Sequence, residues 1–212
     1  MITLGVLVSG GGTNLQAILD AIASGKLAAR VAVVVSNRPG AGGLERAARV
    51  GVARVVVDHK ACATREAFDA QVVETLRTHG VEWVVLAGFM RIVTPVLLEA
   101  YPMRVLNIHP ALLPAFPGVD AQRQALEYGV RVTGCTVHFV DTGTDTGPIL
   151  AQRAVPVLPG DDVDSLRARI LVEEHALLTE ALGWIAEGRV RVTAGEPGKR
   201  ATVAVSESRS GL

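Results

Sequence analysis

Short apolar runs alternate with amphipathic segments along most of this 212-residue chain, and that alternation restricts the possible folds more than any other feature. The runs at 2–8, 30–35, 53–57, 83–87 and 105–109 are five to eight residues long and rich in Val, Leu and Ile, as strands buried on both faces must be. Between them, Leu15, Ile18, Leu19 and Ile22 recur at helical spacing, and Phe68, Val72, Val73 and Leu76 share one face of the segment 64–79. A repeated strand–helix unit predicts an α/β fold: a doubly wound, Rossmann-like, mostly parallel sheet with helices on both faces. The rhythm changes after residue 130. The β-rich runs 132–140 and 149–157 are separated only by residues 141–147, too few for a parallel crossover, so an antiparallel strand pair is expected there. A long helix over 162–187 follows, with Leu166, Ile170, Leu177, Leu178, Leu182 and Ile185 inward. The polar, Gly/Ser/Arg-rich stretch 195–212 reads as a disordered tail.

Composition narrows the partners. Aromatic residues are only 4%, so Val, Leu, Ile and Ala must build the core, and no apolar run approaches the roughly 18 to 20 residues needed to cross a bilayer. The 21 basic and 21 acidic residues cancel, which removes any general attraction to nucleic acid or anionic membrane. Small-molecule partners are expected, with any phosphate held locally, in a monomer or homodimer. The two cysteines, Cys62 and Cys135, lack metal spacing, and the histidines at 59, 79, 109, 138 and 175 form no helical pair, so no metal is expected. This cysteine usage and the absence of a signal-peptide pattern fit a cytoplasmic protein.

Two segments carry the chemistry. Strand one runs into Ser9-Gly10-Gly11-Gly12-Thr13-Asn14-Leu15-Gln16, where Thr13 and Gln16 have capping-box spacing and predict a helix start near Asn14. Backbone N–H groups at such a start favour an anion, though the same glycines would also serve a bare tight turn. The dinucleotide fingerprint fails at Leu15 and at Ser36-Asn37-Arg38, where an acid is required; Arg38 leaves a weak case for a 2′-phosphate. No Gly-Lys-Ser/Thr follows either, so a single phosphate is the better ligand. The second segment is Asn107-Ile108-His109-Pro110. Residues two apart on a strand share a face, so an amide and an imidazole stand side by side at the carboxyl edge of the sheet, where open α/β proteins bind ligands. The loop Asp141-Thr142-Gly143-Thr144-Asp145-Thr146-Gly147-Pro148 is either a solvated turn or a carboxylate source that raises the histidine pKa and orients its ring.

Together with Gly88-Phe89-Met90-Arg91, Leu112-Leu113-Pro114, Thr136-Val137-His138-Phe139-Val140 and Asp145-x-Gly147-Pro148, these segments resemble the folate-dependent formyltransferases over roughly residues 2 to 190. The resemblance is greatest to the branch that moves a formyl group from 10-formyltetrahydrofolate to glycinamide ribonucleotide in purine synthesis. It implies a catalytic triad of Asn107, His109 and Asp145, with Asn107 on the oxyanion and His109 moving the proton. It also implies that Gly12, Thr13 and Asn14 hold the nucleotide phosphate and that Glu174 touches the nucleotide. Folate is implied to lie against Arg65, Met90, Arg91, Ile92, Val93 and Asn107, and against the loop Asp141, Thr142, Gly143, Thr144 and Asp145. Leu98 is expected to join the apolar slot. One domain, 1–194, is expected, with a nucleotide-phosphate half to about residue 100 and a catalytic, folate-binding half beyond it. Two departures stand out: Val119-Asp120-Ala121-Gln122 occupies a place where the family commonly carries histidines, and Thr144 one where it often has a second glycine.

Other members of that superfamily fit the chain less well. A tRNA-directed member is expected to carry a C-terminal RNA-binding domain and a basic surface, and a formyltetrahydrofolate hydrolase an N-terminal regulatory domain; here 18 residues follow Ala194 and the first strand begins at residue 2. A dehydrogenase or a non-catalytic nucleotide-binding protein is left if only the glycine loop functions.

Overall fold

A computed structural model describes residues 1–195 and 201–207. Its elements in chain order are β1 (Ile2–Val8), α1 (Thr13–Ala23), β2 (Ala29–Ser36), α2 (Gly42–Arg49), β3 (Ala53–Val56), α3 (Arg65–Thr78), β4 (Trp83–Leu86), α4 (Pro95–Ala100), β5 (Val105–His109), α5 (Ala121–Tyr128), β6 (Val132–Phe139), β7 (Ile149–Pro156), α6 (Val163–Ala186), β8 (Val190–Thr193) and β9 (Thr202–Val205). Seven strands form one sheet in the order β3-β2-β1-β4-β5-β6-β7. β1 to β5 run parallel, β6 pairs antiparallel with β5, and β7 antiparallel with β6, as the short 141–147 connection requires. The doubly wound expectation holds.

Alternation along β1 explains the layers. Leu4, Val6 and Val8 face a core closed by Leu15, Ile18 and the α6 residues Leu166, Ile170, Leu177 and Leu182. Leu7 faces the opposite layer, with Phe68, Val72 and Leu76 of α3 and Leu97 of α4. Leu98 packs against this second core rather than entering the ligand slot, which corrects its expected place. The order of strands reverses between β1 and β4, since β2 and β3 lie to one side and β5 to β7 to the other. The carboxyl ends of β1 and β4 therefore border the crevice where such sheets take ligands.

Helix ends follow local chemistry. Thr64 accepts at Oγ1 from Ala67 N–H at 3.1 Å to open α3, and Asp162 forms a capping box with Ser165 at α6. The capping box expected at Thr13 is absent. The N-cap of α1 is Gly12, at φ 70 with no side-chain cap, and Gln16 Nε2 instead donates to Asp20 Oδ1 at 2.8 Å. A left-handed Gly12 needs no side-chain cap to turn the chain, so the glycine displaces the threonine from that role. The tail reading is also corrected: β9 pairs with β8, and Val190, Val192, Val203 and Val205 pack onto the first core. The rest of the predicted tail, 196–200 and 208–212, lies outside the described residues.

Candidate active site

β5 ends at the sheet's carboxyl edge with Asn107 and His109 on one face, as their spacing requires. The antiparallel partner of Asn107 is His138 on β6. His138 Nδ1 donates to the Phe139 carbonyl at 2.9 Å, leaving Nε2 to accept from Asn107 Nδ2 at 3.1 Å. Asp145 arrives from the β6–β7 loop at φ 55, a left-handed conformation that Asp tolerates better than most residues. Its Oδ2 accepts from Gly118 N–H at 2.7 Å and lies 3.4 Å from His109 Nδ1. Its Oδ1 is 3.5 Å from Asn107 Nδ2 and 3.6 Å from His138 Nε2. The three residues expected to act together meet in one cluster.

The electrostatics correct one expectation. Burial is the largest influence on His109, which is 4% exposed, and it pushes the imidazole below its ordinary pKa. Asp145 and a hydrogen bond to the Phe116 carbonyl pull the other way without overcoming it. The expected rise is therefore a fall, and the resting ring is neutral near pH 7. Nε2 donates to Phe116 O at 2.8 Å, so Nδ1 is the nitrogen free to gain a proton. Burial would raise the Asp145 carboxyl, but the groups around it, the Gly118 N–H donating at 2.7 Å among them, outweigh that and hold it below the usual carboxylate range. A neutral base beside an ionised carboxylate can accept a proton and have the resulting charge neutralised in place.

This cluster lines a cleft of about 540 Å³, a size suited to a small molecule. Met90, Arg91, Ile92, Val93, Asn107, His109, Asp141, Gly143, Thr144 and Asp145 all border it. Met90 and Ile92 are 66% and 56% exposed, apolar surface that a flat ring would cover. Arg65 and Thr142 are exposed and lie off the cleft wall, so the structure does not bring them to it. The wall also includes Arg167 and Gln122, which sequence reasoning did not assign. His138 was the larger omission. Its signal was present, a titratable ring on a strand whose other residues carry no ionisable group but Cys135, but only the β5–β6 register puts it opposite Asn107.

Gly12, Thr13, Asn14 and Glu174 lie apart from that wall and form a second group. A Cβ on Gly12 would stand 2.6 Å from Gly43 Cα, so only glycine fits beside α2. Gly43 N–H donates to Gly10 O at 3.0 Å, and Arg46 Nε donates to Gly11 O at 2.7 Å. Asn14 and Glu174 are each 8% exposed, and Asn14 Oδ1 has no partner among the described residues. Burial raises the Glu174 carboxyl from 4.5 to about 7, against a hydrogen bond from Asn14 that lowers it. An unpartnered amide oxygen beside a half-protonated acid is a site prepared for a polar ligand. Among the described residues no group of three or more His, Cys, Asp or Glu is placed to hold a metal, and no helix is long and apolar enough to cross a membrane.

The family described as formyl transferase matches residues 3–182. Phosphoribosylglycinamide formyltransferase of Escherichia coli K12 is 44% identical over 187 residues, covering 88% of each chain. The trifunctional purine biosynthetic protein adenosine-3 of Drosophila pseudoobscura pseudoobscura is 47% identical over 188 residues, 88% of this chain but only 14% of that much longer one. Among solved structures, glycinamide ribonucleotide transformylase 1 from Symbiobacterium toebii superposes with a TM-score of 0.93 at 55% identity, covering 98% of this chain and 95% of its own. With the cluster on β5, the cleft and the glycine loop all in one such fold, the chain belongs to the formyl transferase family.

Proposed function

We propose that the protein transfers the formyl group of 10-formyltetrahydrofolate to the amino group of glycinamide ribonucleotide, a step of purine biosynthesis. The observation that carries this reading is the junction of Asn107, a neutral His109 and an ionised Asp145 on the wall of a cleft with exposed apolar residues beside it. Attack of the substrate amine on the formyl carbon forms a C–N bond and a tetrahedral oxyanion. The Asn107 amide is the donor for that oxygen, releasing its long 3.5 Å contact with Asp145 to reach it. His109 takes the proton lost by the amine, Asp145 neutralises the imidazolium, and the same proton passes to the folate nitrogen as its bond to the formyl carbon breaks. The chain's relatives named for this reaction support the assignment.

On this reading the pterin covers Met90, Ile92 and Val93, while the glycine loop with Thr13 and Asn14 takes the phosphate and Glu174 a polar group of the nucleotide. The two halves are functional rather than structural, since one sheet spans both. The setting is cytoplasmic, with small-molecule substrates, and the protein acts as a monomer or homodimer. Steady-state turnover tests the reading with glycinamide ribonucleotide and with the same molecule lacking its phosphate. Hydrogen bonds to a charged group contribute about 1.5 to 3 kcal/mol each, so losing the phosphate should raise KM at least about tenfold. Equal KM values would remove the phosphate from the glycine loop.

A further inference from the structure

One buried polar cluster is not used by this mechanism. β2 runs into Ser36-Asn37-Arg38, and Asn37, where a dinucleotide enzyme needs an acid, is 2% exposed. Its Oδ1 accepts from Ser9 Oγ at 2.7 Å. Ser9, 5% exposed, is the residue between β1 and the glycine loop. The same Ser9 oxygen accepts from Met90 N–H at 2.8 Å, and Ser9 N–H donates to Gly88 O at 3.0 Å. A hydroxyl has one proton to give; committed to Asn37, it turns a lone pair toward Met90. The amide orientation follows from the same commitment, since the hydroxyl proton needs an acceptor and Oδ1 is the amide's only one; His59 Nδ1 donates to the Asn37 main-chain carbonyl at 2.9 Å and holds that residue's backbone. Ser9 therefore sits at the point where the strand order reverses and ties the start of the glycine loop to segment 88–93.

We infer that Ser9, its hydroxyl set by Asn37, is a positioning residue that holds segment 88–93 in the shape that receives the folate. The inference rests on the proposed function, which places folate against that segment. Met90 shows its side chain to the cleft while its N–H is held from beneath, so the main chain fixes an apolar surface that the ligand covers. The far end has its own anchors: Arg91 stacks 4.7 Å over the Phe68 ring, and Thr94 N–H donates to Asp69 Oδ2 at 2.5 Å. Between those anchors and Gly88, the Ser9 hydroxyl holds the segment by a side chain. Its loss leaves the part-buried Met90 N–H and the buried Asn37 Oδ1 without this partner. The glycine loop keeps its own ties at Gly10 and Gly11, so nucleotide binding does not depend on the hydroxyl.

Calorimetric titration of tetrahydrofolate and of glycinamide ribonucleotide, separately, into the wild type, Ser9→Ala, Asn37→Ala and the double variant tests this. Ser9→Ala should weaken tetrahydrofolate roughly tenfold while the nucleotide stays within about twofold, and the folate KM should rise with kcat at saturation retained. The double variant should bind folate no worse than the poorer single variant, because both substitutions remove one interaction. Wild-type folate affinity in Ser9→Ala overturns the inference alone. Equal loss of both ligands makes Ser9 a purely structural residue and also overturns it, as does full additivity. A wild type that fails to bind tetrahydrofolate overturns the functional reading, and the inference with it.

Discussion

At the scale of single residues, the site depends on holding an imidazole neutral next to a carboxylate. Burial of His109 lowers its pKa, and the 3.4 Å gap to Asp145 closes into a charge-assisted hydrogen bond only once Nδ1 carries a proton. His109→Ala and Asn107→Ala should each lower kcat by roughly two orders of magnitude or more, since a lost acid–base group or oxyanion donor commonly costs that much. Near-wild-type turnover in either variant takes that residue out of the mechanism. Asp145 raises the His109 pKa, so Asp145→Asn should lower it further and shift the acid limb of the kcat profile to lower pH while reducing the rate. A rate loss with an unmoved acid limb would leave Asp145 with an orienting role only. Asp141→Asn should be milder, because Asp141 Oδ1 is occupied by Thr146 Oγ1 at 2.7 Å and Gly143 N–H at 3.0 Å within its own loop. Asn107 and His109 were legible because a strand's two-residue period puts them together; His138 was not, because register between strands is set by pairing that a single sequence does not display.

At the scale of elements, the glycine loop is pressed between α1 and α2, and that packing makes a direct prediction. Gly12→Val places a branched side chain against the Gly43 backbone at φ 70 and should raise the nucleotide KM at least about tenfold with folate affinity nearly unchanged. Parallel titrations of the two ligands check this, and equal loss for both would mean that the substitution disturbs the fold. The long elements were readable because burial imposes a period on them: β5 spans the predicted residues, and α3 and α6 lie within a residue or so of the expected bounds. The short helices α2, α4 and α5 carry too few turns to show a period, and none was assigned from sequence. The β8–β9 hairpin was missed for another reason. Val190, Val192, Val203 and Val205 do alternate, but the Gly/Ser/Arg composition around 195–212 hid the second strand, which is stable through contacts with the core that sequence does not show.

For the whole molecule, the buried carboxyl of Glu174 links stability to pH. Its pKa is raised from 4.5 to about 7 on folding, so the folded state holds a proton that the unfolded chain has lost between those values. Stability of the ligand-free protein should fall as pH rises from about 4.5 to about 7, by an amount on the order of 3 kcal/mol, and level off above that. Glu174→Gln removes the titration, so denaturant midpoints of the variant and wild type should diverge across this window, the variant gaining toward high pH; parallel curves would contradict the buried-acid account. Fold and site meet at the carboxyl edge of the sheet, where the strand order reverses: segment 88–93 and the end of β5 line the cleft, and the glycine loop leaves the neighbouring end of β1. That arrangement follows from the βα alternation, whereas the neutral state of His109 follows from burial that only the folded chain supplies. The central claim is that this cleft moves a formyl group between two bound molecules. Mass spectrometry of the nucleotide after a single turnover, with the formyl carbon of 10-formyltetrahydrofolate isotopically labelled, tests it most directly. The account predicts labelled formyl on the amino group of glycinamide ribonucleotide with the wild type, and the same product formed roughly a hundredfold more slowly or worse with His109→Ala; labelled formate with an unmodified nucleotide would contradict it.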